Sequence, residues 1–126
     1  MFQKQRLTHQ SRAVITGSGS GIGKALALEL ARRKGLIVCS DISLQAAEQT
    51  AREVRAEGGE AWAVACDVSD LAQVEALAQQ AQELLPQPLN LVINNAGSGI
   101  GGQTSGDVPI AGWAWTININ LWGVIH

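Results

Sequence analysis

The chain has 126 residues, of which 46% are hydrophobic and 16% charged, with a formal net charge of −2. That length and composition suit one folded domain with its own core and exclude a disordered chain. The slightly acidic balance lacks the basic excess of a nucleic-acid or membrane-surface binder, so neither partner is expected.

No stretch reaches the ~18 apolar residues of a membrane span. The opening "MFQKQRLTHQ" is polar, without the apolar centre of a signal peptide, and residues 1–10 read as an N-terminal tail ahead of a domain over 11–126. The two cysteines, Cys39 and Cys66, lie inside apolar runs and are spaced as neither a zinc knuckle nor a CxxC pair. They read as buried thiols in a reducing compartment, which points to a cytoplasmic location and to no metal site.

The first apolar run, "AVIT" (13–16), predicts a strand and leads into the glycine turn "GSGSGIG" (17–23). A helix follows with Ile22, Leu26 and Leu30 spaced by four as one apolar stripe, Arg32, Arg33 and Lys34 in its last turn, and Gly35 just beyond as the left-handed cap. "LIVCS" (36–40) predicts the second strand. The next helix starts at Ser43, carries Leu44, Ala47, Ala51 and Val54 on one face, and ends at Gly58-Gly59. "AWAVAC" (61–66) is the third strand, followed by a helix from Ser69 to Leu85 with Leu71, Val74, Ala78, Ala81 and Leu85 inward and Pro86 closing it. "LNLVIN" (89–94) is the fourth strand and "GSGIGGQTSG" (97–106) a loop. In the closing apolar segment, Trp113, Trp115 and Trp122 suit packing or subunit contact better than chemistry.

Strand and helix in regular alternation predict an α/β fold, a doubly wound parallel sheet of Rossmann type covered on both faces. In that order the first strand is central, with the second and third on one side and the fourth on the other. The fourth strand should then be buried on both faces and flanked by a fifth strand this sequence does not contain. The fold is therefore expected to be C-terminally incomplete, with an edge and a tryptophan-rich end prone to association.

A glycine turn between strand and helix lets a backbone approach a pyrophosphate, which the helix N-terminus then receives with free N–H groups and the positive end of its dipole. No register of the turn matches G-x-G-x-x-G. It does match T-G-x-x-x-G-I-G, as Thr16, Gly17, Gly21, Ile22 and Gly23. Three further motifs lie at strand ends or beyond: Ser40-Asp41, 18 residues after Gly23; "CDVSD" at 66–70; and "NNAG" at 94–97. A fourth, N-L-x-G, comprises Asn120, Leu121 and Gly123. Together these resemble the short-chain dehydrogenase/reductase family over residues 13–123.

The resemblance implies an oxidoreductase that transfers a hydride between a nicotinamide and a small alcohol or ketone, and that is homo-oligomeric when complete. It assigns Gly17, Ser18, Ser20, Gly21, Ile22 and Gly23 to the cofactor's phosphates and Asp41 and Ile42 to the adenosine ribose. Asp67 and Val68 go to the adenine, Asn94, Asn95, Ala96 and Gly97 to the cofactor-lining segment, and Asn120 to a catalytic role holding water in a proton relay. Plainer readings stand beside these. Asp41 could lead into the Ser43 helix, Asp67 could cap the helix at Ser69, Asn94 and Asn95 are common turn residues, and Asn118 is structural. A carboxylate at Asp41, with Ser20 and Ile42 rather than cations nearby, favours NAD over NADP.

The family's serine, tyrosine and lysine are missing, and the chain has no tyrosine at all. The sequence is thus expected to be the N-terminal portion of a longer enzyme, inactive alone. Two alternatives are a non-catalytic nucleotide-binding or regulatory module and a fragment that pairs with an intact homologue.

Overall fold

Residues 10–126 are described by the computed structural model; the rest of the N-terminal tail lies outside the described residues. The strands are β1 (Arg12–Thr16), β2 (Leu36–Asp41), β3 (Glu60–Ala65) and β4 (Leu91–Ile93). The helices between them are α1 (Gly21–Arg32), α2 (Leu44–Ala56) and α3 (Leu71–Leu84). After β4 and a long loop come α4 (Ile110–Ile117), a π-helical turn over Asn118–Trp122, and the single turn α5 (Gly123–Ile125).

The sheet order is β3-β2-β1-β4, all parallel. Ala13, Val14 and Ile15 of β1 stand opposite Ile37, Val38 and Cys39 on one side and Leu91, Val92 and Ile93 on the other. Because the strands share one direction, their C-terminal ends emerge along a single edge of the sheet. That edge carries the site.

Strand alternation divides the core in two. Ala13, Ile15, Ile37, Cys39 and Ala61 face α1 and α2, meeting Ala27, Leu30, Ala47, Ala51 and Val54. Val14, Val38 and Val64 face the other way, onto Leu77 and Ala81 of α3 and Leu85 beyond it, with Ile119 packed at the margin. The Rossmann-type expectation holds on both counts, strand order and two-sided cover.

Several details differ from the sequence reading. Ile22 is 74% exposed, because α1 begins at Gly21 and its first turn overhangs the sheet edge; Gly23, Ala27 and Leu30 form the buried side. Leu44 and Leu71, each the first residue of its helix, are about half exposed for the same reason. In α3 the phase runs through Leu77 and Ala81, leaving Ala78 in solvent. Alanine fits either environment and so marks no face. The left-handed residue after α1 is Lys34 (φ 63°), not Gly35. Gly35 is needed instead for close approach, since a Cβ there would lie 2.8 Å from the carbonyl of Leu30. The cap of α3 is Asp70, whose carboxylate accepts from the N–H groups of Ala72 and Gln73.

β4 is shorter than 89–94 and is not buried on both faces. Leu91 and Ile93 join the α1 and α2 side, but Val92 is 54% exposed. Its face is the one α3 covers, and α3 packs on β2 and β3. Ile15→Ala in the central strand should cost about 2–5 kcal/mol of unfolding free energy, whereas Ile22→Ala should stay within about 0.5 kcal/mol of wild type. Denaturant midpoints of the two variants check this.

Candidate functional site

The turn after β1 is shaped by contacts that leave no room for side chains. Gly17 has φ +63°, and a Cβ on it would sit 2.8 Å from the Cα of Ala96. A Cβ on Gly23 would collide with the carbonyl oxygen of Gly17 and lie 2.5 Å from Nδ2 of Asn95. The turn can therefore press against the end of β4, and α1 can start directly behind it. Ser20 is the N-cap of α1 in extended backbone, yet its side chain caps nothing, and the first turn holds no acidic residue. The N–H groups and positive dipole end of α1 are thus left for an external acceptor.

Asn95 splices β4 to this turn. Its Nδ2 donates to the carbonyls of Thr16 (3.0 Å) and Gly17 (3.1 Å). The N–H groups of Asn95 and Ala96 both donate to Oγ1 of Thr16, at 3.2 and 3.1 Å.

Asp41 ends β2 beside the turn. Its Oδ2 accepts from the N–H of Gly19 at 2.9 Å and its Oδ1 from the N–H of Ser43 at 3.0 Å. The proposed lead into the Ser43 helix and a free carboxylate edge thus coexist, since each oxygen retains a further lone pair. Asp67 accepts from both the N–H (2.9 Å) and the Oγ (2.7 Å) of Ser69. It shapes a turn before α3 and does not cap the helix.

These elements enclose one cleft of about 530 Å³, within the range of small-molecule sites. Gly17, Ser20, Gly21, Ile22, Asp41, Ile42, Asp67, Val68, Asn95, Ala96 and Gly97 all line it. Gly21 faces open space, with nothing within 4 Å of where a Cβ would stand. Two acidic residues and a helix N-terminus are therefore its main electrostatic features. Among the described residues, no lysine or arginine lines it.

Ser18, Gly23 and Asn94 do not line the cleft. Ser18 is fully buried, its N–H and Oγ both donating to the carbonyl of Ser40 at 2.9 and 3.1 Å. Gly23 is buried behind the turn, and Asn94 is exposed beyond β4. Asn120 sits in the π-helical turn with its amide engaged by Ser98: Oδ1 accepts from the Ser98 N–H at 2.9 Å, and Nδ2 donates to the Ser98 carbonyl. That side chain fixes the exit of the 94–97 segment. A π-helical turn inside a helix often marks a functional position.

The sequence reading missed Cys66, Ser69, Ser98, Trp115 and Ile119, which also line the cleft. Cys66 and Ser69 flank Asp67 and could have been taken from that strand end. Trp115 and Ile119 come from α4 and the π-helical turn, and only the folded chain brings them to the edge. Both cysteines are free and buried, as expected. Burial pushes each thiol up to about 11, opposed at Cys39 by Ser18 and reinforced at Cys66 by Asp67. Neither is a reactive thiolate near neutral pH.

A parallel sheet wound on both faces, with its cleft at the C-terminal edge beside the first turn, defines an α/β protein of Rossmann type. The chain belongs to the short chain dehydrogenase family, whose pattern matches residues 11–126. It is 34% identical to 7alpha-hydroxysteroid dehydrogenase of Escherichia coli over 127 aligned positions, covering 100% of this chain and 49% of that protein. It is 40% identical over 112 positions to a probable oxidoreductase, EphD, of Mycobacterium tuberculosis, covering 89% of this chain and 19% of that one. The crystal structure of a short chain dehydrogenase/reductase from Burkholderia phymatum in complex with NAD superposes with a TM-score of 0.88 at 39% identity. That match covers all of this chain and 43% of the other. A hydroxysteroid dehydrogenase structure from Escherichia coli gives a TM-score of 0.85 at 33% identity, covering 95% of this chain and 51% of that one. The chain thus spans about half the length of the hydroxysteroid dehydrogenases it matches.

Gly23→Ala should lower the melting temperature by several degrees and loosen the turn, because both clashing groups belong to the framework. Gly99→Ala, where a Cβ meets open space, should leave the melting temperature within a degree or two. Thermal unfolding of the two variants, followed by circular dichroism, checks the contrast.

Proposed function

We propose that this chain is the cofactor-binding part of an NAD-dependent short-chain oxidoreductase acting on a small alcohol or ketone. The observation that carries the reading is Asp41, held by Gly19 and Ser43 at the wall of the cleft with lone pairs to spare. The uncapped start of α1 and the open space before Gly21 fit a pyrophosphate. In this reading Gly17, Ser20, Gly21 and Ile22 receive the phosphates, while Ser18 and Gly23 shape the turn from behind.

Asp41 accepts hydrogen bonds from the two ribose hydroxyls, with Ile42 against the sugar, and repels a 2′-phosphate. Asp67 and Val68 border the adenine. Asn95 supports the turn, and Ala96 and Gly97 line the path toward the nicotinamide. The bound nicotinamide supplies or accepts the hydride. Asn120 belongs to the proton relay and also sets the Asn95–Ser98 segment through its amide.

A carbonyl reduction needs a proton donor for the developing alkoxide. The family's tyrosine has no counterpart here, so these 126 residues alone are proposed to bind the cofactor without turnover. The substrate, the homo-oligomeric state and the cytoplasmic setting belong to the whole protein in this reading. A non-catalytic nucleotide-binding module is the second reading, favoured by that same missing tyrosine.

Titration of the purified chain with NADH, NADPH and ADP-ribose tests the cofactor assignment. NADH and ADP-ribose should bind more tightly than NADPH, and Asp41→Ala should narrow the NADH preference by roughly tenfold, the worth of a charge-assisted contact. NADPH binding equal to or tighter than NADH would count against the role given to Asp41.

A further inference from the structure

Thr50 lies in the middle of α2, outside every motif, and is fully buried. A threonine inside a helix ordinarily returns its hydroxyl to the carbonyl one turn earlier. Thr116 of α4 does so, donating to Gly112 at 3.0 Å. Thr50 instead donates across to the carbonyl of Ser18, in the glycine turn, at 2.9 Å.

That contact holds one end of the Ser18–Gly19 peptide unit. A trans peptide is planar, with its C=O and N–H directed oppositely. The Gly19 N–H accordingly donates to Oδ2 of Asp41 at 2.9 Å. Thr50 and Asp41 thus grip a single peptide from its two sides. The residue before the unit is anchored as well, through the bonds from Ser18 to the Ser40 carbonyl. α2 also rests directly on the turn, since a Cβ on Gly19 would lie 2.5 Å from Cβ of Ala46.

We infer that Thr50 is a positioning residue for the adenosine end of the cofactor site, setting the Asp41 carboxylate through the Ser18–Gly19 peptide. The inference rests on the cofactor reading above and adds a residue that touches no ligand. Without the hydroxyl, the Ser18 carbonyl is buried without a partner, and a peptide flanked by glycine is free to rotate to find one. The Gly19 N–H then leaves Asp41, which loses one of the two bonds that fix its plane.

The test pairs Thr50→Val, which keeps the shape and removes the hydroxyl, with Thr50→Ser, which keeps the hydroxyl and removes a methyl. Each variant of the 126-residue chain is titrated with NADH and NADPH, and the hydrogen exchange of the Gly19 amide is measured without ligand. The expected result is a roughly five- to tenfold loss of NADH affinity in Thr50→Val, a narrower preference over NADPH, and a less protected Gly19 amide. Thr50→Ser should stay within about twofold of wild type in both affinities. Unchanged NADH binding or unchanged Gly19 protection in Thr50→Val overturns the inference. So does an equal loss in both variants, or a loss in Thr50→Val that is the same for NADH and NADPH, since either outcome marks a purely structural role. Wild-type protein that binds neither dinucleotide overturns the cofactor reading itself, whereas wild-type binding with any of the preceding outcomes overturns only the role of Thr50.

Discussion

Three separate elements close on the turn after β1, and they can do so only because glycines leave the space. The end of β4 reaches it through Ala96 and Asn95, α2 through Ala46 and Thr50, and β2 through Asp41. The turn is therefore less a flexible connection than a junction, with the Gly17 and Ser18 carbonyls and the Ser18 and Gly19 N–H groups all bonded to neighbouring elements. Parallel pairing of β1 with both β2 and β4 is what delivers these partners to the same edge. Had the strands alternated in direction, Asp41 and Asn95 could not both lie beside Gly17.

The electrostatics of the cleft follow from the same junction. α1 begins without a side-chain cap and without an acidic residue in its first turn. α3, by contrast, has its first N–H groups satisfied by Asp70, whose carboxyl is held below the usual range mainly by Gln73. One helix start is finished internally and the other is left open, and the open one faces the cleft. Anionic groups fit at that point, and hydroxyl groups fit at Asp41, where a second negative charge would be repelled.

Much of this was legible in the sequence, because strand ends in a parallel fold carry punctuation. Glycines, Asp41, Asp67 and the Asn94–Gly97 run all stood where apolar runs stopped, and the alternation of runs with helical spacing gave the order β3-β2-β1-β4. Errors clustered where a residue's identity does not reveal its neighbours. Ile22, Leu44 and Leu71 are apolar, but each sits in a first helical turn that projects past the sheet. Ser18 reads as a cleft residue from its place in the turn, and only the bond to the Ser40 carbonyl shows that it points inward. Trp115, Ile119 and Thr50 carried no signal at all, since their importance comes from elements distant in sequence packing against the turn. The exposed face of Val92 likewise depends on how far α3 reaches, which no local pattern encodes.

The central claim is that the glycine turn, Asp41, the Asp67 turn and the Asn95–Gly97 segment act as one binding surface. Amide chemical-shift mapping of the isotopically labelled chain during titration with ADP-ribose tests it most directly. The account predicts that amides of Ser20–Ile22, Asp41–Ile42, Asp67–Val68 and Ala96–Gly97 shift together along a single saturation curve, while those of Arg52 and Ala56, on the exposed side of α2, stay still. Shifts that are absent, that saturate at different concentrations, or that concentrate away from the C-terminal edge of the sheet would contradict it.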